Sequence, residues 1–169
     1  MAPARRHRGG RQDPGVPAVR VLREAWADPA VPLPEYATQG AAGADLRANL
    51  QPSDRETGLT VDPGGRVLVP TGLIIEVPDG YELQLRPRSG LALNHGITLP
   101  NAPGTIDCDY RGPLGVILMN AGPQPFRVSH GDRVAQAILA PVVRADFELA
   151  DTLTPTRRGA GGFGSTGRD

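Results

Sequence analysis

Short apolar runs rich in Val, Ile and Leu recur along this chain, and glycine or proline closes off most of them. That spacing belongs to β-strands joined by turns. Residues 19–23 alternate as a strand, and residues 33–38 lead into 40–48, where Leu46 and Ala48 alternate with polar neighbours. Residues 51–58 are a polar loop. Residues 65–70, 72–77 and 81–86 read as three strands, with Pro78-Asp79-Gly80 as the turn between the last two. Residues 114–119 are apolar without a break, which predicts a buried strand. Residues 126–128 form a further strand, 129–132 a turn, and 133–139 alternate again. Period 2 puts Gln136 on one face with Val134 and Ile138, so its amide is expected to point inward and need partners. The one helix expected lies within 86–94, with Ser89 as its N-cap.

Composition sharpens this picture. With 22 glycines and 18 prolines in 169 residues, turns punctuate the chain nearly everywhere, and the fold class is all-β: sandwich, jelly roll or barrel. The length suits one domain with a real core. Residues 1–18 hold Arg5, Arg6, Arg8 and Arg11 without apolar periodicity and read as a disordered arm. The folded domain is expected over 19–155 and a flexible tail over 156–169. Charge is balanced at 18 basic and 18 acidic residues, which argues against a nucleic-acid binder. Every basic residue is arginine, so a phosphate contact here comes from a forked, permanently charged donor. The single Cys108 excludes an internal disulfide and suits a reducing, cytoplasmic setting. One Cys and three scattered histidines make a structural zinc site a poor expectation, and no apolar run reaches membrane-spanning length.

Chemistry concentrates in Gly104-Thr105-Ile106-Asp107-Cys108-Asp109-Tyr110-Arg111-Gly112. With the β-branched run at 96–99 and the turn residues Asn101-Ala102-Pro103 before it, this predicts a β-hairpin with its acids just past the tip. Asp107 follows Ile106 directly, so it is expected against packed surface, where a charge is costly and more often functional. Small residues crowd ahead of Asp45 and allow close backbone approach. Arg88 before a helix start is a ready anion site. Residues 157–168 carry too many glycines to hold a fixed fold unaided, yet contain Arg158, Phe163, Ser165 and Thr166. Glycine-rich backbone, guanidinium and hydroxyls suit phosphate, and the aromatic suits a base.

Five segments thus stand in order: 42–48, 87–90, 104–112, 131–136 and 158–167. The series resembles the five motifs of the trimeric dUTP diphosphatase (dUTPase) family, over roughly residue 33 to the C-terminus. The resemblance implies a jelly-roll-like β-barrel forming a homotrimer with sites shared between subunits, and hydrolysis of dUTP to dUMP and pyrophosphate. That reaction supplies dUMP for thymidylate synthesis and keeps uracil out of DNA. By the same resemblance Asp107 deprotonates the attacking water, and Asp45 holds, through water, a Mg²⁺ chelated by the triphosphate. Arg88, Ser89, Gly90 and Gln136 contact phosphates and Arg158 reaches the γ-phosphate. Asn101 and the backbone of Gly104, Thr105, Ile106 and Asp107 read uracil, while Tyr110 packs under the deoxyribose. Phe163 stacks over the base and Gly164, Ser165 and Thr166 close on the phosphates.

Two positions depart from the family pattern. Cys108 stands where many residues are tolerated, and the adjacent carboxylates disfavour its thiolate, so an inert thiol is expected. Gly115 leaves only backbone where relatives often place a long side chain against substrate. Two rivals are a dCTP deaminase, similar in fold, and an inactive nucleotide-binding relative. The deaminase needs a glutamate about where Ile117 stands, and the inactive relative should have lost the base or the tail, both of which are present.

Overall fold

The computed structural model describes residues 15–162. Its elements are β1 (Arg20–Arg23), β2 (Glu35–Tyr36), β3 (Ala44–Arg47), a 3₁₀ turn (Pro52–Asp54), β4 (Leu59–Val61), β5 (Arg66–Glu76), β6 (Tyr81–Arg86), α1 (Ser89–His95), β7 (Ile97–Thr98), β8 (Gly104–Ile106), β9 (Pro113–Asn120), β10 (Phe126–Val128) and β11 (Arg133–Pro141). The described residues are mostly β with one short helix, as expected. No closed barrel forms among the described residues. The strands make a four-stranded sheet β1-β5-β9-β7, a five-stranded sheet β2-β3-β11-β6-β8 and the pair β10-β4. No helix of the described residues is long and apolar enough to cross a membrane.

The core draws on the inner faces of the two large sheets. Val69, Leu114, Val116 and Leu118 come from one, and Leu46, Leu85, Val134 and Ala137 from the other. Buried Thr71 and Asn120 are paired: Thr71 Oγ1 donates to the Leu114 carbonyl at 2.6 Å, and Asn120 Nδ2 donates to the Val61 and Gln124 carbonyls.

Four sequence expectations change in the fold. First, 65–70 and 72–77 are one strand, β5, interrupted only by a register shift between Pro70 and Leu73, where Gly72 takes φ +66°. Second, 114–119 is not buried on both faces. Leu114, Val116 and Leu118 are buried while Gly115, Ile117 and Met119 are half-buried, because the outer face opens onto a cleft. Third, the expected hairpin arms do not pair. Ile97-Thr98 bonds to β9 and Gly104–Ile106 bonds to β6. The connection carries buried Leu99, so the chain crosses between sheets instead of folding back. Fourth, Gln136 does not join Val134 in the core. A bulge between Arg133 and Ala135 lets both Val134 and Ala135 be buried and turns half-buried Gln136 to the other face, opposite Asp45 and Arg86.

The segment before β2 docks through Asp28. Its backbone N–H donates to Asn49 Oδ1 at 3.0 Å, and Asn49 Nδ2 returns a bond to the Asp28 carbonyl at 3.0 Å. His130 Nδ1 accepts from the Leu50 N–H at 3.0 Å, which leaves the proton on Nε2, 3.2 Å from Asp28 Oδ2. The Ala30 N–H bond lowers the Asp28 pKa most; burial opposes that, and His130 and Arg55 lower it further. A lowered folded pKa contributes stability above the unfolded value, about 4, that is lost as pH falls through the folded value. The melting-temperature gap between wild type and Asp28→Asn should therefore be open at pH 7 and close below about pH 4. A gap independent of pH would contradict this.

After β11 the chain runs through residues 142–162 without regular structure. Exposed Val143, Phe147, Leu149 and Leu153 alternate there with Arg144, Asp146, Glu148 and Thr152.

Candidate active site

One cleft, of about 330 Å³, lies where β8 leaves the five-stranded sheet beside the outer face of β5 and β9. Asn101, Gly104, Thr105, Ile106, Asp107, Tyr110 and Gly115 all line it. Gly104 is buried, and a Cβ there would meet Asn101 Nδ2 at 2.9 Å, so a hydrogen at this position lets the amide lie along the strand entry. Tyr110 Oη donates to the Pro113 carbonyl at 3.0 Å, and a Cβ on Gly112 would meet the ring at 2.6 Å from Cζ. Gly112 thus gives the phenol its seat. Asp107 is exposed rather than set against packed surface. Strand β8 ends at Ile106, which is half-buried, so Asp107 is the first residue free to turn its carboxylate to the cleft mouth.

The lining residues that the sequence did not single out include Glu24, Leu68 and Pro70. Leu68 leans over Gly115, where a Cβ would come 2.7 Å from its Cδ1. The missing side chain at 115 is thus replaced by one from the neighbouring strand. Only the β5–β9 register links them, and no local motif reveals it. On the far side of Asp107, Cys108 Sγ lies 3.9 Å from Asp79 Oδ1 in an acidic groove.

A second cleft, of about 380 Å³, is lined by Arg47, Arg88, Arg127 and Arg133 and shares no lining residue with the first. Asp45 borders it at 6% exposure, with Oδ1 3.2 Å from Arg88 Nε and Oδ2 3.0 Å from Arg133 Nη1. Helix α1 starts here. Arg88 is its N-cap and Ser89 its first helical residue, with no side-chain cap bond, so the expected Ser89 cap is not formed. Gly90 is exposed with open space around it. Gln136 lines neither cleft. Arg158 is exposed and its Nε bonds the Gly161 carbonyl at 2.7 Å within its own turn. Phe163, Gly164, Ser165 and Thr166 lie outside the described residues.

Asp45 and Asp107 do not meet within one chain. Strands β3 and β8 stand three places apart in the sheet, roughly 14 Å between backbones at ordinary strand spacing. No group of three or more His, Cys, Asp or Glu among the described residues could hold a metal directly. Asp45 remains open to an outer role, since each of its oxygens accepts one arginine N–H and keeps lone-pair capacity for water.

A nucleoside-sized cleft with a carboxylate at its mouth and a separate arginine-lined cleft at a helix start suit a β-protein that handles nucleotides. The chain belongs to the dUTPase family, whose model matches residues 30–167. It is 64% identical over 150 residues to a deoxyuridine 5'-triphosphate nucleotidohydrolase of Dinoroseobacter shibae, covering 89% of this chain and 97% of that protein. It is 60% identical over 151 residues to the Roseobacter denitrificans protein of the same name, covering 88% and 97%. Among solved structures it is similar to a Staphylococcus bacteriophage 80alpha dUTPase mutant with dUpNHpp. The TM-score is 0.73 at 20% identity, over 89% of this chain and 98% of that one, which bears on the fold alone.

Proposed function

We propose that this protein hydrolyses dUTP to dUMP and pyrophosphate by attack of water on the α-phosphorus, in a homotrimer whose sites are shared between subunits. The observation that carries the reading is the exposed Asp107 carboxylate at the mouth of a cleft walled by Asn101 and the Gly104–Ile106 strand. Strand backbone at that wall offers uracil the donors and acceptors of a base partner, and Asp107 accepts the proton of the attacking water. Arg88 binds phosphate through the N–H groups its ion pair leaves free, with Ser89, Gly90 and Gln136 beside it. The tail, with Arg158, Phe163, Gly164, Ser165 and Thr166, closes over the bound nucleotide.

Sharing between subunits reconciles the two clefts. A base and a phosphate clamp that must serve one α-phosphate stand too far apart within one chain, and a neighbouring copy brings the second to the first. The D. shibae and R. denitrificans relatives are named for this activity, and the fold neighbour carries a dUTP analogue. Mg²⁺ suits an outer role at Asp45, because its carboxylate is already ion-paired and no group of three ligating side chains forms among the described residues. Such binding suits a cation that sheds water reluctantly, and when bound it neutralises triphosphate charge.

The test is pyrophosphate release from dUTP, dTTP, dCTP and UTP, with and without Mg²⁺, with ammonia measured alongside. Release confined to dUTP supports the reading; ammonia from dCTP without pyrophosphate would replace it with deamination. Half-buried Ile117 in the cleft wall, where a deaminase needs its acid, disfavours that outcome.

Tyr110 accounts for sugar choice. Its ring is seated on Gly112 and tied to Pro113, and in this reading it packs flat under the deoxyribose and leaves no room for a 2′-hydroxyl. Tyr110→Ala should lower the ratio of kcat/KM for dUTP over UTP and lower the dUTP value itself. An unchanged ratio with both values reduced would make Tyr110 structural only.

A further inference from the structure

The arginine-lined cleft is bordered by a closed ring of contacts among Arg88, Asp45 and Arg133. Arg88 Nε lies 3.2 Å from Asp45 Oδ1, and Arg133 Nη1 lies 3.0 Å from Asp45 Oδ2. Arg88 Nη1 donates to the Arg133 carbonyl at 3.3 Å, which completes it. Asp45 is 6% exposed at the centre, with the side chains of Arg88 at 23% and Arg133 at 44%.

The bulge in β11 makes this ring possible. In an unbroken strand, 134 and 136 share a face and 133 points the other way. Here Gln136 stands opposite Asp45, Ala135 opposite Leu46 and Arg133 opposite Arg47. The extra residue, Val134, goes into the core, and Arg133 is carried onto the face of Asp45 and Arg47. Re-aiming a side chain in this way is a common use of a bulge near a functional site.

We propose that Arg133 is a positioning residue for Arg88. Through Asp45 and through its own carbonyl it holds two of the three Arg88 guanidinium nitrogens, so the plane is set before any anion arrives. The remaining Arg88 N–H groups then meet phosphate already aligned, and the cost of ordering a long side chain falls on folding rather than on binding. A buried ion pair is by itself weak evidence for stability, which makes preorganisation the better account of this one. The inference rests on the proposed phosphate role of Arg88.

The experiment uses the full chain and a double-mutant cycle. Wild type, Arg133→Met, Arg88→Met and the double variant are compared by Kd for inorganic triphosphate without Mg²⁺, by kcat and KM for dUTP, and by melting temperature. Arg133→Met should weaken triphosphate binding and raise KM by on the order of tenfold, with kcat within about threefold. Arg133→Lys, which keeps one charged contact to Asp45, should recover part of the loss. In the Arg88→Met background, Arg133→Met should add less than about twofold, since it acts through the arginine already removed. Multiplicative losses would overturn the inference by making Arg133 an independent phosphate contact. An altered melting temperature with Kd and KM unchanged would overturn it by making the ring structural. If Arg133→Met fails to fold, Arg133→Lys carries the same comparison. A wild type that binds triphosphate but spares dUTP would refute the proposed activity while the cycle still decides the role of Arg133.

Discussion

Asp107→Asn should lower kcat for dUTP by at least ~100-fold and leave the Kd of dUpNHpp within about tenfold of wild type. The amide keeps the shape and hydrogen-bonding capacity of the carboxylate and removes its ability to take a proton. Asp107 stands beyond the end of β8 in exposed backbone, with no packing role that the substitution could disturb. The loss therefore reads chemistry and not stability. Near-normal turnover would remove Asp107 from the role of base and direct attention to Glu24, the other carboxylate on the cleft wall.

A chain ending at Thr156 lacks Arg158 and Phe163 and should also be nearly inactive alone. The informative experiment unfolds and refolds it with Asp107→Asn at equal amounts. If every site takes its base from one chain and its tail from another, about one quarter of sites in a C₃ trimer receive both intact parts. Activity should then rise to about one quarter of wild type from two nearly silent parents. If each tail serves the base of its own chain, no combination yields an intact site and activity stays at the sum of the parents. Recovery is expected because Arg158 bonds only within its own turn and reaches neither cleft of its own chain.

Much of the framework was legible because it is local. β6, the turn at Pro78–Gly80 and the single helix follow from alternation and from turn chemistry read a few residues at a time. Asn101, residues 104–107 and Tyr110 reach one cleft because they are near neighbours in sequence. Apart from the Ser89 cap and the packed setting expected of Asp107, what failed was non-local. The run at 96–99 and the strand after it carry the signature of a hairpin, and nothing within them says that one bonds to β9 and the other to β6. The period-2 reading of Gln136 was correct for a regular strand, but a bulge at Val134, two residues earlier, reset the phase. The same bulge hid Arg133, which on regular alternation faces away from Asp45. Leu68 was invisible for a related reason, since its meeting with Gly115 depends on strand register alone.

The alternating segment after β11 has a thermodynamic consequence. Phe147 and Leu149 are at 94% and 104% exposure, apolar surface that a neighbouring copy in the proposed trimer would have reason to cover. Were such covering part of the proposed trimer, its free energy would add to that of folding, and assembly and folding would share one equilibrium. Mass action would then make dilution a denaturant, with the concentration of copies helping to set how stable each copy is.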